Sequence, residues 1–372
     1  MVTQSPLKIA IVGAGSVGLA LGEMLRQSGD WSVLLADCTE AALQCAEGLG
    51  FAVQHVDASR MEDMRRVAAG QDAVVAAVPD PLTPKVAAAA MLAGAHYLDF
   101  SNASSETEAQ RANLAAGRIF FSGCGVSPGL VDEIAASLAG SFSGEVDLTI
   151  RVGAIPRRQT NRLGYGLIWN LDGVLAEYTA PCEAIVDGQR VMLEPLSQKE
   201  DFVLDGVAYE AFCTSGGVST LIERIGPNVR NLVFRTIRYP GHLDYMSFLL
   251  DDLRLRQRRD LLMTLLRNGL PEISDDQVLV FVSARGVRET ALVESSVVLR
   301  IGSTGGRDTP TALALGSAAH AAGLLDAARR GAVRDHPSSA SRHRDLDKLL
   351  DTRFLKPLIT WTVHDTALDL PD

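Results

Sequence analysis

The sequence predicts an α/β protein in which a doubly wound parallel sheet is joined to an inserted α+β domain. Residues 8–122 alternate short apolar runs with helix-prone segments, an order typical of strands and helices around a parallel sheet. A glycine-rich turn follows the first of these runs directly. Residues from about 144 to 305 then change to alternating polar and apolar segments, which are typical of antiparallel strands.

Six strands with connecting helices are predicted in the first part of the chain. The strands fall at 8–12, 31–36, 51–56, 72–78, 96–100 and 117–122, and the helices begin near 19 and cover 40–49, 61–69 and 84–93. The fourth strand, which Pro79 ends, is expected to lie next to the first, where the strand order changes direction. Ligands of such sheets bind at the carboxyl ends of the strands at this point.

The glycine-rich turn has the spacing Gly13-x-Gly15-x-x-Gly18 between a strand and a helix start. Gly13 permits the turn, Gly15 lets the backbone approach a pyrophosphate, and Gly18 lets the helix pack against the strand. The phosphates would lie on the unpaired N–H groups at the helix N-terminus, where the helix dipole favours negative charge. The candidate contacts there include Ser16 and Val17.

The second strand ends in Asp37, nineteen residues after Gly18. A carboxylate at this place can accept hydrogen bonds from the adenosine ribose hydroxyls, and it would repel a 2′-phosphate. Cys38 and Thr39 follow and offer no Arg or Lys to hold such a phosphate. The order of strand, glycines, helix and acid therefore predicts a Rossmann domain that binds NAD, with NADP less favoured. The alternative is a helix-start glycine cluster beside an ordinary strand-end aspartate.

Other cofactor contacts are expected in the loops that follow the strands. Asp57 and Ala58 come after the third strand and would flank the adenine, although Asp57 could instead cap the next helix. Ala77, Val78 and Pro79 would border the nicotinamide ribose, and Ser101 opens the loop after the fifth strand.

Composition favours small molecules as the binding partners. The chain has 372 residues, 47% of them hydrophobic, and a net charge of −10, which argues against nucleic acid or an anionic membrane as partner. No apolar run approaches the roughly 18 residues of a membrane span, and no segment resembles a signal peptide. The five cysteines are scattered without metal-ligand spacing, which predicts reduced thiols, no metal site and a cytoplasmic location.

A Gly/Pro-rich loop at 123–133 marks the exit from the nucleotide domain. We predict a dinucleotide-binding domain at 1–125, an α+β substrate and dimerisation domain at 126–308, a helix returning to the first domain at 309–334, and a C-terminal tail at 335–372. Strands are expected at 147–152, 231–238, 278–284 and 291–301, the last two as antiparallel neighbours.

Five motifs in the second half occur in a fixed order. They are GVSPG at 125–129, VGAIP at 152–156, LGY at 163–165 with IWNLDGV at 168–174 and EY at 177–178, TSGG at 214–217, and TIRYPGH at 236–242. From about residue 8 to 331 the chain resembles the saccharopine dehydrogenase-like family, most closely its lysine 6-dehydrogenase branch.

This resemblance implies an NAD-dependent oxidative deamination of the lysine ε-amine in a homodimer, giving a semialdehyde that cyclises. Ser127 departs from the saccharopine reductases of the family, which have an aspartate before the Pro-Gly of the first motif. That difference argues against saccharopine as the substrate.

Loss of hydride from an amine-bearing carbon requires a neutral amine and therefore a base. His242 is the first candidate, since an ordinary histidine pKa near 6.5 suits proton transfer, although it could simply cap a strand end. Asp132 and Glu133 could bind a substrate ammonium or serve as acids of the first helical turn. Asp99 could contact the nicotinamide or the amine, or act as a strand-end turn residue.

An amino-acid substrate also presents a carboxylate. Arg238 could clamp it, and Arg235 is the competitor on the opposite strand face. The backbone amides of a short loop resemble an anion nest that would assist; its residues are Thr214, Ser215 and Gly216. Tyr165 would shape the pocket or belong to the core.

Two other functions remain open at this point. One is a secondary-amine or opine-type dehydrogenase that joins an amino acid to a carbonyl compound. The other is an NAD-binding regulatory protein without catalysis.

Overall fold

The computed structural model describes residues 5–102, 104–222, 225–303, 309–333 and 346–368. The chain divides into two compact units. The first consists of the described residues of 1–130, 314–342 and 347–357, and the second of those of 131–313, 343–346 and 358–372.

The first unit contains a six-stranded parallel sheet with the order β3-β2-β1-β4-β5-β6. Its strands are β1 (Leu7–Val12), β2 (Trp31–Asp37), β3 (Ala52–His55), β4 (Ala73–Ala76), β5 (His96–Asp99) and β6 (Phe120–Phe121). The prediction that the fourth strand lies beside the first is confirmed, since Val12 of β1 pairs with Ala76 of β4. The change in strand order therefore lies at the glycine turn.

Helices cover both faces of this sheet. They are α1 (Ser16–Ser28), α2 (Glu40–Gly48), α3 (Met61–Ala68), α4 (Thr83–Ala93) and α5 (Ser105–Ala109). Alternate residues of β1 enter different cores: Ile9 and Ile11 lie in one apolar cluster, and Ala10 lies in the other. Burial on both faces explains why the strands read as continuous apolar runs.

The second unit is built on a nine-stranded mixed sheet with the main order β10-β11-β12-β7-β13-β14-β15, to which β8 and β9 are added beside β12. The strands are β7 (Val146–Pro156), β8 (Cys182–Val186), β9 (Gln189–Leu193), β10 (Glu200–Leu204), β11 (Val207–Cys213), β12 (Val229–Arg238), β13 (Asp276–Arg288), β14 (Ala291–Gly302) and β15 (Ile359–Leu368). The predicted antiparallel pairing of the segments 278–284 and 291–301 is confirmed, as in Val280 opposite Leu299.

The remaining helices are α6 (Leu130–Ala139), α7 (Leu171–Glu177), α8 (Ser219–Ile222), α9 (His242–Ser247), α10 (Arg259–Gly269), α11 (Ala312–Arg329) and α12 (Leu346–Leu350). Most of α11 belongs to the first unit, where Ala318, Ala322 and Leu325 lie in the same apolar cluster as Ile9. No helix in the described part of the chain is both long enough and apolar enough to cross a membrane.

The segment 335–372, for which the sequence analysis gives only a tail, contributes to the fold where it is described. Residues 346–350 form α12, and β15 extends the second sheet by pairing with β14 along its length, from Ile359 opposite Ile301 to Leu368 opposite Leu292. The alternation Ile359-Thr360-Trp361-Thr362-Val363 is the strand signal in this segment. Residues 335–345 of the predicted tail lie outside the described residues.

Candidate functional site

The three glycines of the turn at the end of β1 have different surroundings. Gly13 has φ +107°, and a Cβ there would lie 2.1 Å from the Ala77 carbonyl oxygen. A Cβ on Gly18 would lie 1.9 Å from the Gly13 carbonyl oxygen. Gly15, in contrast, has φ −77°, and its Cβ would meet no described atom within 4 Å. The fold of the protein therefore does not require a glycine at position 15, whereas close approach of a diphosphate would require one.

The first turn of α1 is open beside this glycine. Gly15 and Ser16 are exposed and Val17 is half-buried. The first helical N–H groups have no intrahelical acceptor and can bind phosphate oxygens. The residues present thus fit a dinucleotide diphosphate.

Asp37, the last residue of β2, lies against the same turn. Its Oδ2 accepts a hydrogen bond from the Ala14 amide at 2.8 Å, and its Oδ1 accepts one from the Thr39 amide at 2.8 Å. Burial works against the charged carboxylate, but these bonds hold the pKa of Asp37 below its usual value. A fixed negative charge next to the turn suits the ribose contact that the sequence predicts. Cys38 is exposed beside it.

The other cofactor candidates lie at the same edge of the sheet. The Ala77 amide donates to the Val12 carbonyl at 2.7 Å, which places the start of the Ala77–Pro79 loop beside the glycine turn. The carboxylate of Asp57 accepts from the Ser59 amide at 2.8 Å. This bond closes a local turn before α3 and does not cap that helix, because the N-cap of α3 is Arg60, so the helix-cap alternative for Asp57 is wrong. Ala58 is buried next to Asp57. Their contacts with a cofactor stay predictions.

Asp99 is fully buried and its oxygens are occupied. Oδ2 accepts from the hydroxyls of Tyr97 at 2.9 Å and Ser122 at 3.0 Å, and Oδ1 accepts from the amides of Ser101 and Gly123, each at 3.1 Å. Burial raises the pKa of this carboxyl in spite of the hydrogen bonds. The geometry favours the turn role over a catalytic one, because Asp99 ties the two loops together. The Ser101 hydroxyl also donates to Oδ1 of Asp99, at 3.2 Å.

The second unit contains a buried chain of hydrogen bonds. Nε of Arg238 donates to the Tyr178 hydroxyl oxygen at 2.8 Å, and this hydroxyl lies 2.9 Å from Nε2 of His242. Nδ1 of His242 lies 2.9 Å from the Leu163 carbonyl oxygen. Because a carbonyl can only accept, Nδ1 carries the proton and Nε2 accepts the hydroxyl proton of Tyr178. The direction of every bond in the chain is thereby assigned.

His242 is enclosed by aromatic rings. Its ring centroid lies 5.5 Å from that of Tyr165, 5.7 Å from that of Tyr178 and 6.2 Å from that of Phe212. Its residue surface is 1% exposed. Burial and the nearby Arg238 charge lower the pKa of His242 to about 3. The ordinary pKa that made His242 the first candidate base does not hold here, so the geometry favours a positioning role.

Arg238 is buried without a carboxylate partner. Its guanidinium carbon lies 4.7 Å from the Tyr165 ring centroid and 5.7 Å from that of Tyr178, and Nη1 donates to the Ile237 carbonyl at 2.8 Å. Within the described residues no carboxylate oxygen comes within 4.0 Å of it. Arg235 instead pairs with Glu200 at 3.7 Å, which agrees with the expected difference in strand face. A ligand carboxylate would compensate the buried charge of Arg238.

The loop at 214–216 has a different role from the predicted anion nest. The Ser215 amide donates to the Glu177 carbonyl at 3.0 Å, and the Ser215 hydroxyl donates to the Ala176 carbonyl at 3.4 Å. The Thr214 hydroxyl pairs with that of Thr236 at 2.6 Å. Because the Ser215 amide is already bonded, it cannot belong to a nest in this arrangement. The loop, which continues into Gly216 at φ +87°, holds the end of α7.

Glu177 is the residue of this cluster that sequence reasoning missed. It is the last residue of α7 and is half-buried, and none of the described residues donates a hydrogen bond to its carboxylate. Loss of hydration raises the pKa of Glu177 to about 7, although the charge of Arg238 acts in the opposite direction. The signal available in the sequence was its position directly before Tyr178 in the EY motif.

The last predicted site residue, Asp132, lies in the first turn of α6 and is 6% exposed, next to Glu133 at 5%. Both side chains are buried, whereas acids in the first turn of a surface helix are ordinarily exposed. A substrate contact by Asp132 stays a prediction.

Two family models match the chain. The saccharopine dehydrogenase NADP binding domain matches residues 9–118, and the saccharopine dehydrogenase C-terminal domain matches residues 125–310. The chain belongs to the saccharopine dehydrogenase family. The predicted resemblance to this family is confirmed, whereas its lysine 6-dehydrogenase branch stays a prediction. The chain is an oxidoreductase of an NAD(P)-dependent family with a small-molecule substrate.

One of the similar solved structures supports the fold. Apo saccharopine dehydrogenase (L-Glu forming) from Saccharomyces cerevisiae matches with a TM-score of 0.80 and 15% identity, over 98% of this chain and 100% of that one. Biliverdin reductase from Synechocystis matches with a TM-score of 0.37 and 14% identity, over 95% of this chain and 98% of that one. A dehydrogenase from Clostridium difficile matches with a TM-score of 0.38 and 10% identity, over 94% of this chain and 98% of that one. At these identities the yeast structure supports the α/β fold with its second, mixed-sheet domain, and the other two add no argument.

Proposed function

We propose that this member of the saccharopine dehydrogenase family is an NAD-dependent oxidoreductase acting on the CH–NH2 group of an amino acid, in a lysine 6-dehydrogenase-like deamination. The observation that carries the proposal is Arg238, a buried guanidinium with no carboxylate within 4.0 Å in the described part of the second unit. A buried guanidinium without a hydrogen-bonded carboxylate is costly, and the α-carboxylate of an amino acid would pair with it.

The choice of NAD over NADP is supported by Asp37. Amides of the glycine turn would hold the diphosphate, and Asp37 would hold the ribose hydroxyls while its charge repels a 2′-phosphate. When bound, the dinucleotide supplies the hydride acceptor for the amine-bearing carbon. The name of the matching family model points to NADP instead, so both dinucleotides belong in the test.

The direct test follows NADH absorbance with lysine and NAD, and repeats the assay with NADP. We expect turnover with lysine and NAD, and a KM for lysine raised roughly 10- to 100-fold in Arg238→Gln, because a charge-assisted hydrogen bond is lost. Arg235→Gln is the matched control, since Arg235 lies among Gln198 and Glu200 on the other face of β12. Equal effects of the two substitutions would remove Arg238 from substrate binding.

A secondary-amine dehydrogenase of the saccharopine type is the second candidate. The likeness in fold to the yeast enzyme favours it, with a TM-score of 0.80. Ser127 argues against saccharopine itself, because it stands where the saccharopine reductases of the family have an aspartate. No NADH from lysine, together with turnover of a secondary amine, would select this function over the first.

A homodimer is part of the proposal. Among the described residues β15 is the edge strand of the second sheet, and most of its residues are exposed, so its backbone could pair with a second copy. Light scattering after size exclusion would give the mass of two chains, and a single-chain mass would exclude the dimer. A cytoplasmic location is also proposed, and fractionation of cells would test it.

A further inference from the structure

The end of helix α7 carries a carboxyl group that the predicted mechanism does not use. We propose that Glu177, and not His242, accepts the proton of the substrate ammonium before oxidation. This inference rests on the proposed function and names the base within it.

His242 has no free nitrogen for this task in the described arrangement. Nδ1 donates to the Leu163 carbonyl, and Nε2 accepts from the Tyr178 hydroxyl. Taking a substrate proton on Nε2 would break the bond to Tyr178 and place a second positive charge near buried Arg238. His242 therefore positions Tyr178, which in turn holds Nε of Arg238 at 2.8 Å.

Glu177 has the placement that a base requires. Its backbone is fixed by the Ser215 amide, which donates to the Glu177 carbonyl at 3.0 Å. Its carboxylate is close enough to Arg238 for the two charges to interact, yet no described residue donates a hydrogen bond to it. The position at the C-terminus of α7 also disfavours a negative charge, because the helix dipole is negative there. A carboxyl pKa of about 7 allows it to take and release protons at neutral pH.

Glu210, a second carboxylate on the strand next to Arg238, shows the opposite arrangement. It is fully buried, but it accepts from the amides of Gly241 at 3.1 Å and Leu243 at 2.7 Å, and Lys199 lies 3.3 Å away. These bonds use the Glu210 carboxylate to fix the start of α9. Glu177 lacks equivalent donors and keeps its lone pairs available for a substrate ammonium.

An N–H bond of the substrate ammonium breaks, its electron pair stays on nitrogen, and the proton forms an O–H bond with the Glu177 carboxylate. The neutral amine can then lose hydride from its carbon to a nicotinamide dinucleotide, the oxidant of the proposed function, leaving an iminium ion that water hydrolyses to a carbonyl compound and an ammonium ion. Arg238 meanwhile would hold the substrate carboxylate.

Glu177→Gln tests the step, with Glu194→Gln as the control because Glu194 is exposed in the same unit. We expect Glu177→Gln to lower kcat by a factor on the order of 100 to 10,000 and to remove the acid limb of the pH profile near pH 7, with lysine binding retained. The control should keep the wild-type rate and profile. Circular dichroism of both variants checks that they fold.

A second readout does not depend on turnover. Infrared difference spectra of the protein with 13C-labelled glutamate should show one carboxyl group titrating near pH 7, present in wild type and Glu194→Gln and missing in Glu177→Gln. An unchanged pH profile and rate in Glu177→Gln, or no such titration in wild type, would overturn the role of Glu177 while leaving amine oxidation by wild type intact. Absence of turnover with any amine in wild type would instead reject the proposed function and the step with it.

Discussion

Tyr178 donates its hydroxyl proton to Nε2 of His242 across 2.9 Å, and the same oxygen accepts a hydrogen bond from Nε of Arg238. The two contacts use Tyr178 as a link between a cation and a neutral imidazole. Since both neighbours are at most 2% exposed, water has little access to replace the link if it is lost. The orientation of Arg238 therefore depends on residues that need not contact a substrate.

Tyr178→Phe should reveal this dependence. The substitution leaves Nε of Arg238 and Nε2 of His242 buried without their partner, which costs about 1–3 kcal/mol for each group. We expect a lower free energy of unfolding and a raised KM for an amino-acid substrate, measured by urea titration and by initial rates. Tyr245→Phe is the control, because Tyr245 is exposed in the same unit. Similar behaviour of both variants would show that the hydrogen-bond chain does not matter for stability or binding.

The stability of the second unit should depend on pH through His242. Its folded pKa of about 3 lies below the usual 6.5, so the neutral form contributes stability that is complete above about pH 6.5 and declines as the pH falls towards 3. The loss should be on the order of 4 kcal/mol over that range. Urea unfolding between pH 7 and 4, followed by intrinsic tryptophan fluorescence, measures it. His242→Leu should flatten this dependence, and an unchanged slope in that variant would assign it to other groups.

Gly15→Ala and Gly13→Ala should separate cofactor binding from folding. At Gly15 an added Cβ meets no described atom within 4 Å, so stability should change little while affinity for NAD falls. At Gly13 the same Cβ would lie 2.1 Å from the Ala77 carbonyl oxygen at φ +107°, and the variant should be destabilised by several kcal/mol, on the order of 2–4. Thermal unfolding and NAD calorimetry give both quantities. Full NAD affinity in Gly15→Ala would place the diphosphate elsewhere.

Asp37→Asn should change nucleotide preference without removing the contact to the turn. The amide oxygen of asparagine can still accept from Ala14, but the negative charge is gone. We expect weaker NAD binding and a smaller ratio of NAD to NADP affinity, by roughly tenfold for each 1.4 kcal/mol lost. Cofactor titrations by fluorescence measure the ratio, with Asp57→Asn as the comparison. A ratio that does not move would contradict the ribose assignment.

Local patterns predicted the strands of the first unit, but they did not predict α5 or α12. The apolar runs at 8–12 and 72–78 predicted β1 and β4, because strands buried on both faces leave little room for polar residues. The strand order of doubly wound sheets predicted that these two strands are neighbours. In the second unit, two hairpins were missed although the chain carries their signal. Asp187-Gly188 and Asp205-Gly206 both have positive φ and turn β8 into β9 and β10 into β11.

The candidate site was predicted only in part. Arg238 and His242 were identified by residue type and motif, but the role given to His242 used an unperturbed pKa, which burial and the Arg238 charge have lowered. Glu177 was quoted in a motif and not assigned a role, because its pKa depends on desolvation and on the lack of hydrogen-bond donors. Neither property can be read from neighbouring residues in the chain.

The sequence by itself determined the parallel sheet, the glycine turn with its strand-end Asp37, and membership of the saccharopine dehydrogenase family, since these rest on spacing and periodicity along the chain. Only the tertiary structure decided which polar groups meet. It joined Tyr178 to His242 and Arg238, residues 64 and 60 positions away along the chain. The physical reason is that burial and charge proximity, which set protonation and reactivity, arise from contacts between distant segments.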